Sequence, residues 1–195
     1  GSVAVISFSR NFQSVPVSLF GIAFSVAIFP MLAECAAKRD RENFLKNFKK
    51  ALRDILIFTV PSALGLYLLS DLPIRIFLGG GKFSDENILR TAQVLSIFAL
   101  SIPTESLVHL FARSFYALKN TIIPVVLSLT GLIISITFAS LKIKTMGIIA
   151  IPYGFFLGSA IEIILLALIL RVKLKKLRAT IYPPTITIAF FPSKI

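Results

Sequence analysis

Two stretches of this chain run without a charged residue for longer than a bilayer is thick: Asn11 to Ala33, 23 residues, and Thr121 to Leu141, 21 residues. A helix that crosses the hydrocarbon core needs about 20 predominantly apolar residues, so each can span it. Two shorter runs, Ile55 to Ser70 and Thr145 to Ile161, reach that length with their flanks. A fifth, Thr91 to Leu118, is interrupted by Glu105, His109 and Arg113. The pattern predicts an all-α, polytopic transmembrane helix bundle with spans near residues 3–34, 50–71, 91–118, 121–142 and 146–171.

Charge placement separates two readings of the +12 net charge, which comes from 21 Lys and Arg against 9 Asp and Glu. A nucleic-acid binder would gather these charges on one soluble face. Here they fall between spans. Lys38, Arg39, Arg41, Lys46, Lys49, Lys50 and Arg53 follow the first span, Lys119 the third, and Arg171, Lys173, Lys175, Lys176 and Arg178 the fifth. The alternate connections hold only Arg75, Lys82, Arg90, Lys142 and Lys144. An excess of basic residues marks the cytoplasmic side, which puts the N-terminus outside and makes residues 172–195 a basic cytoplasmic tail after a bundle of residues 1–171. Nucleic acid is thus not an expected partner, and membrane lipids are.

Other classes find little support. A single cysteine, Cys35, and a single histidine allow neither an intrachain disulfide nor a metal cluster, and no cofactor is expected. No nucleophile stands with a base and no carboxylates pair at useful spacing, so the chain does not read as an enzyme. The loop "LGGGKFSDEN" lacks the Ser or Thr that must follow Gly-Lys in a phosphate loop. It reads as a glycine turn with Ser84 as N-cap and Asp85 and Glu86 in the first helical turn. No signal-peptide pattern opens the chain, and an outside N-terminus without one suggests a piece of a longer protein.

Polar residues inside the spans are the candidate site. Arg10, Gln13 and Ser14 are i, i+3, i+4 neighbours with Asn11 beside them. A positive, amide-rich patch within a helix suits a phosphate or sugar group in a cavity; a turn of helix facing outer water is the alternative. Glu105, His109 and Arg113 share one helix face at i, i+4, i+8. Such residues normally face a bundle interior or a water-filled cavity, with Glu105 paired to His109, or His109 bridging the two charges. Alternatively Arg113 snorkels to the interface and the other two stitch helices together. Glu162 reads as a structural polar contact. In "DRENFLKNFKKALRDI", Phe44, Phe48, Leu52 and Ile55 make one apolar stripe, either an amphipathic helix in the membrane interface or a solvated lead-in to the second span.

Three blocks resemble a known family. "FQSVPVSLFGIAFSVAIFPMLAE" (Pro16, Gly21, Ala23, Pro30), "GKFSDENILRTAQVLSIFALSI" (Gly81 to Ser84) and "ARSFYALKNTIIP" (Arg113, Phe115, Tyr116, Thr121, Pro124) are similar, in order and spacing, to the MurJ (MviN) lipid II flippases. The resemblance implies a MOP-superfamily, MATE-like fold of two six-helix bundles working by alternating access, of which these spans match helices eight to twelve. It also implies transport of the lipid-linked peptidoglycan precursor across a bacterial cytoplasmic membrane for cell-wall synthesis, with the missing N-terminal bundle or other cell-wall synthesis proteins as partners. Arg10, Asn11, Gln13 and Ser14 would contact the head group, and Glu105, His109 and Arg113 would line the cavity. The family's usual arginine five residues before the proline falls on Asn11, with Arg10 one step earlier, and Glu105 has no usual counterpart. A flippase or exporter for another lipid-linked sugar or a drug, and a non-transporting membrane scaffold, are the rival readings.

Overall fold

A computed structural model describes residues 2–78 and 85–179. Every regular element in it is helical: α1 (Ser2–Pro16), a π-helical turn (Val17–Ile22), α2 (Ala23–Ala37), α3 (Arg41–Leu68), α4 (Asp71–Leu78), α5 (Asp85–Ala99), α6 (Ile102–Ala117), α7 (Ile122–Met146), a 3₁₀ turn (Gly147–Ile149) and α8 (Ala150–Ala179).

By length and composition three stretches suffice to cross a membrane, residues 3–37, 41–68 and 122–175, and the bent pair α5 and α6 makes a fourth. The longest of these is not one rod. Ser128 hydrogen-bonds Glu162, and Gly131 and Ser135 meet Gly158 and Gly154, so residue numbers rise on α7 as they fall on α8. The two helices form an antiparallel hairpin that reverses at Gly147, whose φ of +61° suits glycine. With the hairpin counted as two crossings, the five expected spans are present.

Prolines account for the departures from straight rods. The expected span 91–118 is two helices at 43°, because Pro103 in the first turn of α6 has no N–H to continue the ladder from α5. The first span is continuous in direction but widens after Pro16, where the Ala23 N–H reaches back five residues to the Ser18 carbonyl. α4 was not foreseen; Asp71 and Arg75 pair one turn apart along it, at 2.6 Å. α8 continues eight residues past the boundary placed at 171. The glycine turn and Ser84 cap lie outside the described residues, as does the segment from 180, while Asp85 and Glu86 do open α5.

The interior combines apolar side chains with small polar ones, and the exterior is apolar. Ser9, Ser25, Thr59, Thr91 and Ser114 are fully buried, and each hydroxyl donates to the carbonyl four residues back. α7 instead exposes Val125, Leu129, Leu132, Ile133 and Ile136. In lipid there is no hydrophobic drive to hide such side chains, and helices associate by close packing and hydrogen bonds.

One apolar cluster gathers the basic end of the bundle. Phe44, Phe48 and Ile55 of α3 pack with Leu110, Phe111 and Phe115 of α6 and with Leu166 and Leu170 of α8. The stripe read as an interfacial or solvated lead-in therefore lies in roughly the first half of α3, packed against protein. Asp40 caps it by accepting from the Asn43 N–H at 3.0 Å.

Candidate functional site

The site is built where α1 meets the bent pair. Arg10, one turn before Ser14, sends its guanidinium across to α6, where Nη2 lies 3.1 Å from Glu105 Oε1. Gln13 enters beside it and donates from Nε2 to Glu105 Oε2 at 2.6 Å and to Ser101 Oγ at 3.3 Å. Gln13 is fully buried, and its Oε1 has no hydrogen-bond partner. The π-helical turn makes this approach close. Gly21 touches Ser106 so tightly that a Cβ there would lie 2.6 Å from the Ser106 hydroxyl and 2.7 Å from its Cα.

α8 completes the cluster. The Arg10 guanidinium lies 4.0 Å from the centre of the Phe155 ring, a cation–π contact that favours a charge held away from bulk water. Thr104 and Ser159 share a hydrogen bond of 2.9 Å between α6 and α8. Next to them is a cavity of about 240 Å³ whose walls include Glu105, His109, Ser128, Ser135, Ser159 and Glu162.

The expected site residues thus divide. Arg10, Gln13 and Glu105 meet, and His109 opens on the adjoining cavity. Asn11 is exposed, and its carbonyl accepts from the Ser14 hydroxyl on their own helix, so neither joins the cluster. The expected pairing of Glu105 with His109 is corrected: both carboxylate oxygens turn to α1, where an arginine is a stronger partner than an imidazole one turn away. Arg113 lies 5.9 Å from the Phe29 ring centre, over α2. Glu162 is the structural contact anticipated, held by Ser128.

Among the described residues no three His, Cys, Asp or Glu side chains gather closely enough for a metal ion. What the arrangement offers is a part-exposed arginine and a buried amide donor, both engaged by the Glu105 carboxylate.

The family model for the lipid II flippase MurJ matches residues 1–193. The chain belongs to the MurJ family. A probable lipid II flippase MurJ of Bdellovibrio bacteriovorus is 27% identical over 176 residues, covering 90% of this chain and 33% of that protein. The lipid II flippase MurJ of Thermosipho africanus is 30% identical over 163 residues, 77% of this chain and 33% of that one. The chain thus spans about a third of the length of these MurJ relatives. A solved lipid II flippase MurJ in an inward closed conformation superposes with a TM-score of 0.74 at 28% identity over 92% of this chain and 39% of that one. A multidrug-resistance MATE transporter of the MOP superfamily in an inward-facing conformation gives 0.83 at 13% identity over 91% of this chain and 41% of that one. The MATE likeness shows the fold alone, and it is the fold expected from the sequence.

The sequence reading missed Phe155, Ser101 and the α7–α8 contact. One signal was available: Gly154 and Gly158 are spaced as in the Gly-x-x-x-Gly pattern by which membrane helices approach closely.

Proposed function

We propose that this chain is part of a lipid II flippase, which moves the undecaprenyl-diphosphate-linked peptidoglycan precursor from the inner to the outer leaflet of the bacterial cytoplasmic membrane. Membership of the MurJ family supports the reading, and one local observation carries it: Arg10, on a span otherwise free of charge from Asn11 to Ala33, is held by Phe155 and Glu105 at the helix contact. A charge within a membrane span is costly even when paired, and marks a ligand site or pathway.

No covalent step is involved. Arg10 and Gln13 bind the diphosphate and first sugar, His109 and Glu105 line the polar route beside it, and the lipid tail stays in the bilayer. Alternating access follows from two states of the bundles, each favoured at one membrane face. The basic ends of α2, α3, α6 and α8 face the cytoplasm, with the start of α1 outside. Asn11 and Ser14, on the exposed side of α1, meet the sugar once the cavity is closed by the rest of the protein.

The test is complementation with the full-length gene in a cell depleted of its own flippase. Growth is expected from the native gene and not from Arg10→Gln. Failure of the native gene despite good membrane expression would sink the proposal.

A further inference from the structure

Glu105 occupies both donors that the proposed head-group site presents. Its Oε1 accepts from Arg10 and its Oε2 from Gln13. Gln13 presents its donor at the expense of its own acceptor, since Oε1 is buried without a partner. An amide oriented in this way is set for an anion. Arg10 is held a second time by Phe155, and that contact does not depend on the carboxylate. The pair is also within reach of a ligand, with 38% of the Arg10 side chain and 20% of the Glu105 side chain exposed.

We infer that Glu105 is a built-in stand-in for the transported anion and so a specificity-determining residue. Its carboxylate keeps Arg10 and Gln13 in receiving geometry and is displaced by a diphosphate. The inference rests on the head-group reading above. Displacement leaves Glu105 unpaired in a poorly solvated place, which is costly. Only a ligand that returns more negative charge to Arg10 than one carboxylate offsets that cost, so neutral and zwitterionic head groups are rejected. The released side chain has somewhere to go, because Glu105 also borders the cavity onto which His109 opens.

The experiment uses the full chain in lipid nanodiscs, with inorganic pyrophosphate and inorganic phosphate as probes. Glu105→Gln keeps the shape and removes the competing charge. It is expected to bind pyrophosphate about tenfold more tightly than the native chain, the equivalent of one charge-assisted hydrogen bond, and to prefer it less strongly over phosphate. Glu105→Asp keeps the charge but shortens its reach to Arg10 and Gln13, and is expected to bind pyrophosphate with an affinity between those of the native chain and Glu105→Gln. Unchanged or weaker pyrophosphate binding by Glu105→Gln overturns the inference.

A second readout needs no anion. Phenylglyoxal labelling of Arg10, followed by mass spectrometry, is expected to be several-fold faster in Glu105→Gln, with pyrophosphate slowing it again. An unchanged labelling rate means that Glu105 does not hold Arg10, and the inference fails while the head-group reading stands. Faster labelling with no pyrophosphate binding by either protein means that the head-group reading fails, and the inference falls with it.

Discussion

Gly158 of α8 lies so close to Ser135 of α7 that any side chain at position 158 would run into the Ser135 hydroxyl and the Gly131 carbonyl. Gly154 is less confined but still crowded, since a Cβ there would lie 2.6 Å from the Ser135 carbonyl oxygen. The hairpin is therefore held by backbone approach, and the hydrogen bond from Ser128 to Glu162 adds to it.

Gly158→Ala and Gly154→Ala should each cost about 1–3 kcal/mol, the usual range for forcing atoms into a packed contact. Gly65→Ala is the control. Nothing lies within 4 Å of its new Cβ, and replacing this half-buried helical glycine should gain roughly 0.4–1 kcal/mol. Unfolding in mixed micelles, followed by circular dichroism, measures all three.

Two basic residues end helices in the left-handed region, Arg39 with φ 56° after α2 and Lys119 with φ 55° after α6. In both turns the next amide bonds back five residues, Asp40 to Cys35 and Asn120 to Phe115, the bond of a Schellman cap. Lys119→Gly and Arg39→Gly remove the Cβ that strains this geometry and should each stabilise by about 1 kcal/mol. The same micelle titration reads the gain.

The cap of α3 should depend on pH. The Asn43 backbone N–H, and then its side-chain amide, hold the Asp40 carboxyl below its ordinary value. Because the folded value lies below the unfolded one, the contribution is complete above the unfolded value and is lost as the pH falls through the folded one. The difference in thermal midpoint between the native chain and Asp40→Ala should be constant from neutral pH down to about 5 and shrink below about 4.

Ser128→Ala leaves the Glu162 carboxylate without its donor. A double-mutant cycle with Glu162→Ala should give a coupling of about 0.6–1.7 kcal/mol, the range for hydrogen bonds between membrane helices.

How much of this was legible in the sequence depends on the distance over which each feature is set. Charge-free runs and basic connections are local, and they placed the five spans, though α3 begins at Arg41 where 50 was expected and α8 ends at Ala179 where 171 was expected. Arg10, Gln13 and Glu105 were legible as polar residues out of place in lipid. Their pairing was not, because Glu105 has His109 one turn away while its actual partner is 95 residues distant. The stripe of Phe44, Phe48 and Ile55 has one period whether it meets water, lipid or protein, and only the positions of α6 and α8 decide. Pro103 was visible, but its 43° bend depends on how α5 and α6 pack around it.

The wide turn after Pro16 lodges one more residue than an α-helical turn would. Each residue of an α-helix advances about 100° around the axis, so side chains above and below the turn are out of phase by that amount with respect to an unbroken helix. Keeping all six residues of 17 to 22 in a regular α-helical ladder would swing Arg10 and Gln13 about a quarter of a circle away from Glu105, whereas deleting one of them would restore the ladder and leave the cluster in phase. The wide turn is thus as much a part of the cluster as the side chains that form it.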